Sequence, residues 1–476
     1  MAFSLNLSFR WLQNFFTPSK MIKPQQVVAE LPSSGEIYRT AYQMAWPSTL
    51  EAFLVGLVSM VDTIMVGTLG SSAIAAVGIT NQPRMIVLAV IMSLNVGVTA
   101  IVARRTGEKD ALAANRCLKQ CMVLSAILTL VFAGAAAVFA RPLLIFAGAG
   151  SDIIDDATTY FTILMLGLIF NSLTLTINAA QRGAGNTKIS MTTNLTANLV
   201  NVVFNYLLIG GNLGFPKLGV AGAAIATVLG SIVGFGMALY SVLGRRHHFL
   251  CLRSPAPWSF DKGTMKSLTN ISSSALVEQV FMRIGFFTYA KIVAGLGTDA
   301  FATHQICMNI MSMSFTFGDG LQVACAALVG QNLGAKRPDL SIIYGKVGQR
   351  IALCISTLLS VLFFTCAEPL MRMFTTDAEI VREGIPLLYI TAIVTYAQIS
   401  QVVYSGCLRG AGDTRYVAMV SMVSIMVVRP TLSYLLCYPI GMGLIGAWVG
   451  VLIDQYMRLF ATMPRFSSGK WTKIQV

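Results

Sequence analysis

Arg182-Gly-Ala-Gly-Asn-Thr-Lys188 and Arg409-Gly-Ala-Gly-Asp-Thr-Arg415 are one phrase written twice, 409 − 182 = 227 positions apart. The same offset superposes Glu51 on Glu278, Gly70 on Gly297, Ala73 on Ala300 and Gly107 on Gly334. Separated matches at one spacing mark an internal duplication, which has to be recognised before any other motif is read. Further along the register drifts. Asn205-Tyr-Leu-Leu aligns with Ser433-Tyr-Leu-Leu at 228 and Gly219 with Gly443 at 224, shifts that read as changes of loop length.

What is duplicated is a set of membrane spans. The 476 residues are 55% hydrophobic and 11% charged, against about 25% charged in soluble domains, and the mean hydropathy is +0.69. Such apolar content excludes a disordered chain. Nine Cys, mostly in apolar runs, exclude a secreted disulfide scaffold. A span needs roughly 20 apolar residues, and twelve stretches qualify, near 42–67, 73–103, 117–140, 157–181, 189–210, 218–243, 268–294, 300–330, 350–367, 384–408, 416–438 and 443–463. The expected fold is an all-α integral membrane protein, with twelve transmembrane helices in two pseudo-symmetric six-helix lobes. Six spans per repeat is an even number, so both lobes keep one orientation and are related by a two-fold axis along the membrane normal. The expected division is a cytoplasmic N-terminal segment 1–41, an N-lobe 42–243, a cytoplasmic linker 244–267, a C-lobe 268–463 and a cytoplasmic tail 464–476.

Basic residues set the orientation. With the N-terminus in the cytoplasm, 25 of the 34 Lys and Arg fall in inner segments and four (Arg141, Lys217, Arg372 and Arg382) in outer ones. That asymmetry places both termini inside a plasma or inner membrane. The net charge of +14 thus reflects insertion, and nucleic acid is not an expected partner. The stretch Phe3 to Phe16 has no long apolar core or small-residue cleavage site, so it is read as an interfacial helix or a free tail.

Two homologous bundles facing a central cavity suit alternating access, which favours a transporter over a channel. No G-x-x-x-x-G-K-[ST], H-E-x-x-H or G-x-S-x-G motif occurs, so no ATP hydrolysis and no enzyme is expected. Gly318-Asp319-Gly320 lacks a partner aspartate for proteolysis, Cys117 and Cys121 read as packing residues, and His247 and His248 as a solvated pair.

Charges at bilayer depth cost at least ~2.5–3.5 kcal/mol each, so each needs a reason. Glu51 and Asp62 lie in the first span, eleven residues or three turns apart, and therefore on one face. Pro47 precedes them and removes a backbone donor, which permits a bend. Asn194, Asn198, Asn201 and Asn205 are spaced 4, 3 and 4, a single face of amides on the fifth span. Amides can glue membrane helices together, but four in twelve residues exceed that need and point to a cavity lining. An acid with amide and hydroxyl oxygens makes a hard site suited to Na⁺ or to a proton. The second half differs here: Asp62 corresponds to Tyr289, and Asn201 and Asn205 to Arg429 and Ser433. One cation site is therefore expected, in the N-terminal half. Glu51 and Glu278 remain equivalent, either as an acidic pair facing a central cavity or, for Glu278, in an ion pair with Arg283 or Lys291. Asp319, Asp454, Arg84 and Arg458 are expected in stabilising pairs or snorkelling.

Pro47, Val61-Asp-Thr-Ile-Met-Val-Gly67, both R-G-A-G-[ND]-T segments and Gly219-Val-Ala-Gly-Ala-Ala-Ile-Ala-Thr227 together resemble the multidrug and toxic compound extrusion (MATE) transporters, from about Tyr42 to Met463. The resemblance implies an antiporter that expels small cationic or amphiphilic compounds in exchange for H⁺ or Na⁺; no other cofactor is expected, and the chain is expected to be a monomer in lipid. Its cation site falls on Asp62, Asn201, Asn205, the backbone of Ala223 and Thr227, with Asn178 joining from the fourth span; Na⁺ would sit at Asp62, Asn201 and Asn205. Where some members carry a further acid in the tenth span this chain has Gln398, while Glu278 matches the family's acid in the seventh. Glu51, Glu278 and Gln398 are thus candidates for the substrate cavity or a second acidic site, and Pro47 for the bend of the first helix. The alternative transport function is a flippase for a lipid-linked saccharide or peptidoglycan precursor, which would need clustered basic groups for phosphate.

Overall fold

The computed structural model describes residues 14–243 and 249–474. His247, His248 and most of the Phe3 to Phe16 stretch lie outside the described residues. Twelve long helices follow in order: α1 (Ser34–Gly67), α2 (Ser71–Gly107), α3 (Ala111–Val138), α4 (Ile154–Gly183), α5 (Thr187–Gly210), α6 (Gly219–Leu243), α7 (Lys262–Ala294), α8 (Thr298–Gly334), α9 (Pro338–Thr365), α10 (Ala378–Gly410), α11 (Thr414–Cys437) and α12 (Gly443–Ser467). Ten of them are long and apolar enough to cross a membrane. The other two are α5, with its four asparagines, and α7, with Glu278, Arg283 and Lys291.

The duplication explains why the repeated phrase is kept. Arg182 and Arg409 close α4 and α10. Gly185 and Gly412 then take the left-handed φ of +90° that ends each helix, a conformation that costs a residue without Cβ little. Gly183 and Gly410 serve close crossings instead. A Cβ at Gly183 would stand 2.8 Å from Thr99 O on α2, and one at Gly410 would stand 2.1 Å from Ala326 O on α8. Thr99 and Ala326 are themselves 326 − 99 = 227 apart, so one crossing is built twice.

The drift of register needs a correction. The step from 227 to 228 is no loop change: it falls inside α11, where Val423–Val428 form a π turn. Such a turn inserts one extra residue into a helix, and Pro430, which lacks an N–H, stands just beyond it. The later step to 224 does lie in a loop, since residues 211–218 before α6 are matched by only 439–442 before α12.

The chain forms two compact units, Leu50–Leu276 and Met1–Thr49 with Val277–Val476. Their borders fall within α1 and α7. α1 itself runs unbroken through Pro47, and the border at Thr49 and Leu50 comes two residues later. In the second unit the segment before α1 is tied down: the Arg350 guanidinium stands 3.7 Å over the Phe15 ring, Tyr38 Oη donates to Phe16 O at 2.9 Å, and Met21 and Ile22 are buried. The described end of the N-terminal stretch is therefore packed on protein and is not a free tail. Cys117 and Cys121 are buried with their Sγ atoms in hydrogen-bond contact at 3.8 Å and no disulfide between them, as packing residues.

The crossing makes a direct prediction. Gly410→Ala should lower stability by about 1–3 kcal/mol through overpacking, read as a lower unfolding temperature in detergent. Gly236→Ala, where nothing lies within 4 Å, should leave that temperature almost unchanged.

Candidate functional site

The first unit holds a cavity of about 490 Å³ between α1, α2 and α4–α6. Asp62 reaches it from α1, Asn201 and Asn205 from α5, and Ala223 and Thr227 from α6. The 4-residue spacings 201/205 and 223/227 are what align each pair on its helix. Asn205 Nδ2 donates to Asp62 Oδ1 at 2.8 Å. The Asn201 amide, in the sense that satisfies both its ends, donates to Asp62 Oδ1 and Oδ2 at 2.8 and 3.0 Å, and its oxygen faces Thr227 Oγ1 at 3.1 Å. Thr227 Oγ1 donates to Ala223 O at 3.0 Å. Asn201 and Asn205 are 5% and 2% exposed, and Asn205 Oδ1 is buried without a partner among the described residues. A carboxylate is thus solvated by two amides that a half-turn of the side chain would convert from donors to oxygen ligands. Arg84 lines the same cavity and makes no ion pair among the described residues.

Asn178 goes elsewhere. Its Nδ2 donates to Asn194 Oδ1 at 3.1 Å, and Asn194 Nδ2 donates to Glu51 Oε1. Glu51 also accepts from Ser190 Oγ at 3.3 Å and stands 3.6 Å from Arg182 Nη1. The amide face of α5 therefore divides, its first asparagine serving Glu51 and its last two Asp62.

Glu278 is paired with neither Arg283 nor Lys291. Its partner is Arg409, at 2.6 Å, which also donates to Gln322 Oε1 at 3.2 Å. The pairs Glu51–Arg182 and Glu278–Arg409 are related by the repeat offset at both ends, since 278 − 51 = 409 − 182 = 227. Each match is legible in the sequence, and an acid and a base that recur at one offset are the signal that they pair.

At the place equivalent to the Asp62 cluster, the second half carries its own cation. Arg429, fully buried, pairs with Asp454 at 2.5 Å, and Arg458 reaches the same carboxylate at 3.1 Å. Arg429 also lies 5.0 Å over Phe286 and 5.7 Å over Tyr289, the counterpart of Asp62. Asp454 and Arg458 are thus in the stabilising pair expected of them. Gln398 is fully buried on α10, with neither end of its amide partnered among the described residues.

Comparison with known proteins agrees with this architecture. The MatE family model matches residues 47–207 and 275–435, one match per repeat. "Probable multidrug resistance protein NorM" of Thermotoga maritima is 29% identical over 448 residues, covering 92% of this chain and 94% of that one. "Uncharacterized transporter YisQ" of Bacillus subtilis is 25% identical, covering 90% and 94%. A structure described as the outward-facing conformation of a multidrug resistance MATE family transporter superposes with a TM-score of 0.85 at 21% identity, covering 91% of this chain and 97% of that one.

Glu278→Gln should strand the Arg409 charge. Because Arg409 keeps 20% of its side chain exposed, the expected loss is about 2 kcal/mol, below the roughly 3–5 kcal/mol of a fully buried pair. Thermal unfolding checks this, and the double variant Glu278→Gln/Arg409→Met should recover part of the loss.

Proposed function

The chain belongs to the MatE family of membrane transporters, and on that premise we propose that it is a secondary active antiporter that exports cationic or amphiphilic compounds in exchange for H⁺ or Na⁺. The observation that carries this reading is the Asp62 cluster: a carboxylate in the last third of a membrane helix, held by two amides and, among the described residues, by no arginine.

Asp62 is the coupling acid. When it is ionised and no coupling ion is bound, the N–H groups of Asn201 and Asn205 solvate it, as they are placed to do at 2.8–3.0 Å. A proton neutralises the carboxylate directly. Na⁺ instead draws the amide oxygens inward, joined by Thr227 Oγ1 and the Ala223 carbonyl, the hard oxygen set that such an ion takes. Either ion removes the negative charge that favours a cationic compound in the same half, so ion and cargo compete for one electrostatic site. α1 carries the change, because Pro47 leaves its backbone one hydrogen bond short and permits a bend. The orientation proposed from the basic loops puts both termini, and both R-G-A-G turns, in the cytoplasm, with Asp62 towards the outer side. The protein then acts in the cell membrane as a monomer, with the two repeats alternating access.

A flippase would present clustered bases to a phosphate. Arg429 and Arg458 are instead buried against Asp454, which leaves little for that role.

Dye efflux from proteoliposomes, with pH and Na⁺ gradients imposed separately, tests the proposal and identifies the ion. Asp62→Asn should abolish gradient-driven efflux while the protein still inserts and folds. Full activity of that variant would overturn the assignment of Asp62.

A further inference from the structure

The chain between α6 and α7 is clamped to α3 by three buried side chains. Asn115 Nδ2 donates to Phe249 O at 2.9 Å, and Asn115 Oδ1 accepts from Cys251 N at 2.6 Å. Lys119 Nζ donates to Ser254 O at 2.8 Å and to Ala256 O at 2.7 Å, and Gln120 Nε2 donates to Ser259 O. The clamp belongs to the duplication. Lys346, 346 − 119 = 227 positions further on, donates to Met21 O in the segment before α1. Met21 and Ile22 are buried there, as Leu250 and Cys251 are here.

What the two clamps present is different. The linker continues as Pro257-Trp258-Ser259-Phe260, with Trp258 51% and Phe260 50% exposed. Between Met21 and α1 no aromatic residue occurs, so holding the chain down does not require one. Lys119 Nζ also lies 5.2 Å from the centre of the Trp258 ring, which fixes the depth of that ring. Lys119 is the third residue of the span expected near 117–140, and Lys262 and Lys266 stand just before the span expected near 268–294. Two helices thus set the linker where hydrocarbon gives way to headgroups, the level at which tryptophan rings settle.

The charges around the rings are mostly basic. Arg253, Lys262 and Lys266 are exposed and make no ion pair among the described residues. Lys262 and Lys266, four residues apart, share one face of α7. The acid between Trp258 and Lys262 is already engaged: Asp261 Oδ2 accepts from Thr264 N at 2.8 Å and from Thr264 Oγ1 at 3.0 Å, capping the first turn of α7.

We propose that this linker seats an anionic phospholipid of the inner leaflet, with Trp258 and Phe260 at the boundary of acyl chains and headgroups and Arg253, Lys262 and Lys266 around the phosphate. The proposal takes from the transport reading only the inner placement of the linker, and its partner is neither cargo nor coupling ion. Charge complementarity selects the occupant. Three unpaired cations beside two exposed rings match a ligand with a phosphate and an apolar body, and each Lys or Arg held near acidic lipid adds to the attraction. A zwitterionic lipid brings its own cation to its phosphate and gains less.

Tryptophan fluorescence of the full chain in nanodiscs of equal parts phosphatidylglycerol and phosphatidylcholine tests it, with bromine on the acyl chains of one lipid or the other. The signal lost in Trp258→Phe, which keeps a ring over Lys119, isolates Trp258 from the other tryptophans. That signal should be quenched about twofold or more strongly when phosphatidylglycerol carries the bromine. Arg253→Gln/Lys262→Gln/Lys266→Gln, at exposed and unpaired positions, should remove the difference and leave the quenching. Equal quenching by the two lipids in the wild type, or a difference that survives the triple substitution, would overturn the proposal. No quenching by either lipid would overturn it as well, and would put Trp258 in water or against another protein. The measurement imposes no ion gradient, so each of these results leaves the antiporter reading standing.

Discussion

A carboxylate within a membrane-spanning helix has to be compensated, at a cost of at least ~2.5–3.5 kcal/mol if it is not. Five acids of this chain lie within the twelve spans expected from the sequence: Glu51, Asp62, Glu278, Asp319 and Asp454. Three are answered by arginine, Glu51 by Arg182, Glu278 by Arg409, and Asp454 by Arg429 and Arg458. Asp62 is answered by neutral amides, and Asp319 has no bonded partner among the described residues. The manner of compensation separates the acids that hold the fold from those free to change partner.

The arginine pairs also explain the repeated phrase. Each R-G-A-G places an arginine against an acid of the first helix of its half, a glycine at a backbone crossing, and a second glycine at the left-handed turn that ends the helix. Ion pair, crossing and stop lie within four residues, so the motif survives where the surrounding apolar sequence has diverged. The halves then part at the next helix. α5 keeps amides beside Asp62, whereas α11 takes up a π turn that delivers Arg429 to Asp454. A fixed internal cation stands in the second half where the first holds a carboxylate among amides, the site proposed for an exchangeable one.

Much of this was legible in the sequence, for physical reasons. Helical spacing put the four asparagines on one face and Asp62 on the same side of α1 as Glu51, because 3.6 residues per turn governs both. Repeat arithmetic showed that the carboxylate and amides of the Asp62 cluster have no counterpart in the second half. Other features were hidden. Asn178 lies on α4, and nothing in its spacing tells which of two acids it faces across a helix boundary; it serves Glu51 through Asn194. The π turn of α11 was mistaken for a loop change, since one inserted residue looks the same in an alignment wherever the backbone absorbs it. The partner of Glu278 was sought near it in sequence, at Arg283 or Lys291, although membrane helices bond across the bundle more readily than along one face.

The central claim is that Asp62 exchanges its counter-charge during transport while the arginine-paired acids do not. Difference infrared spectroscopy of the protein in lipid, taken across addition of the coupling ion, reads carboxyl groups directly. The account predicts a carboxyl band change that disappears in Asp62→Asn and persists in Glu278→Gln. A band change that survives Asp62→Asn unaltered would contradict it.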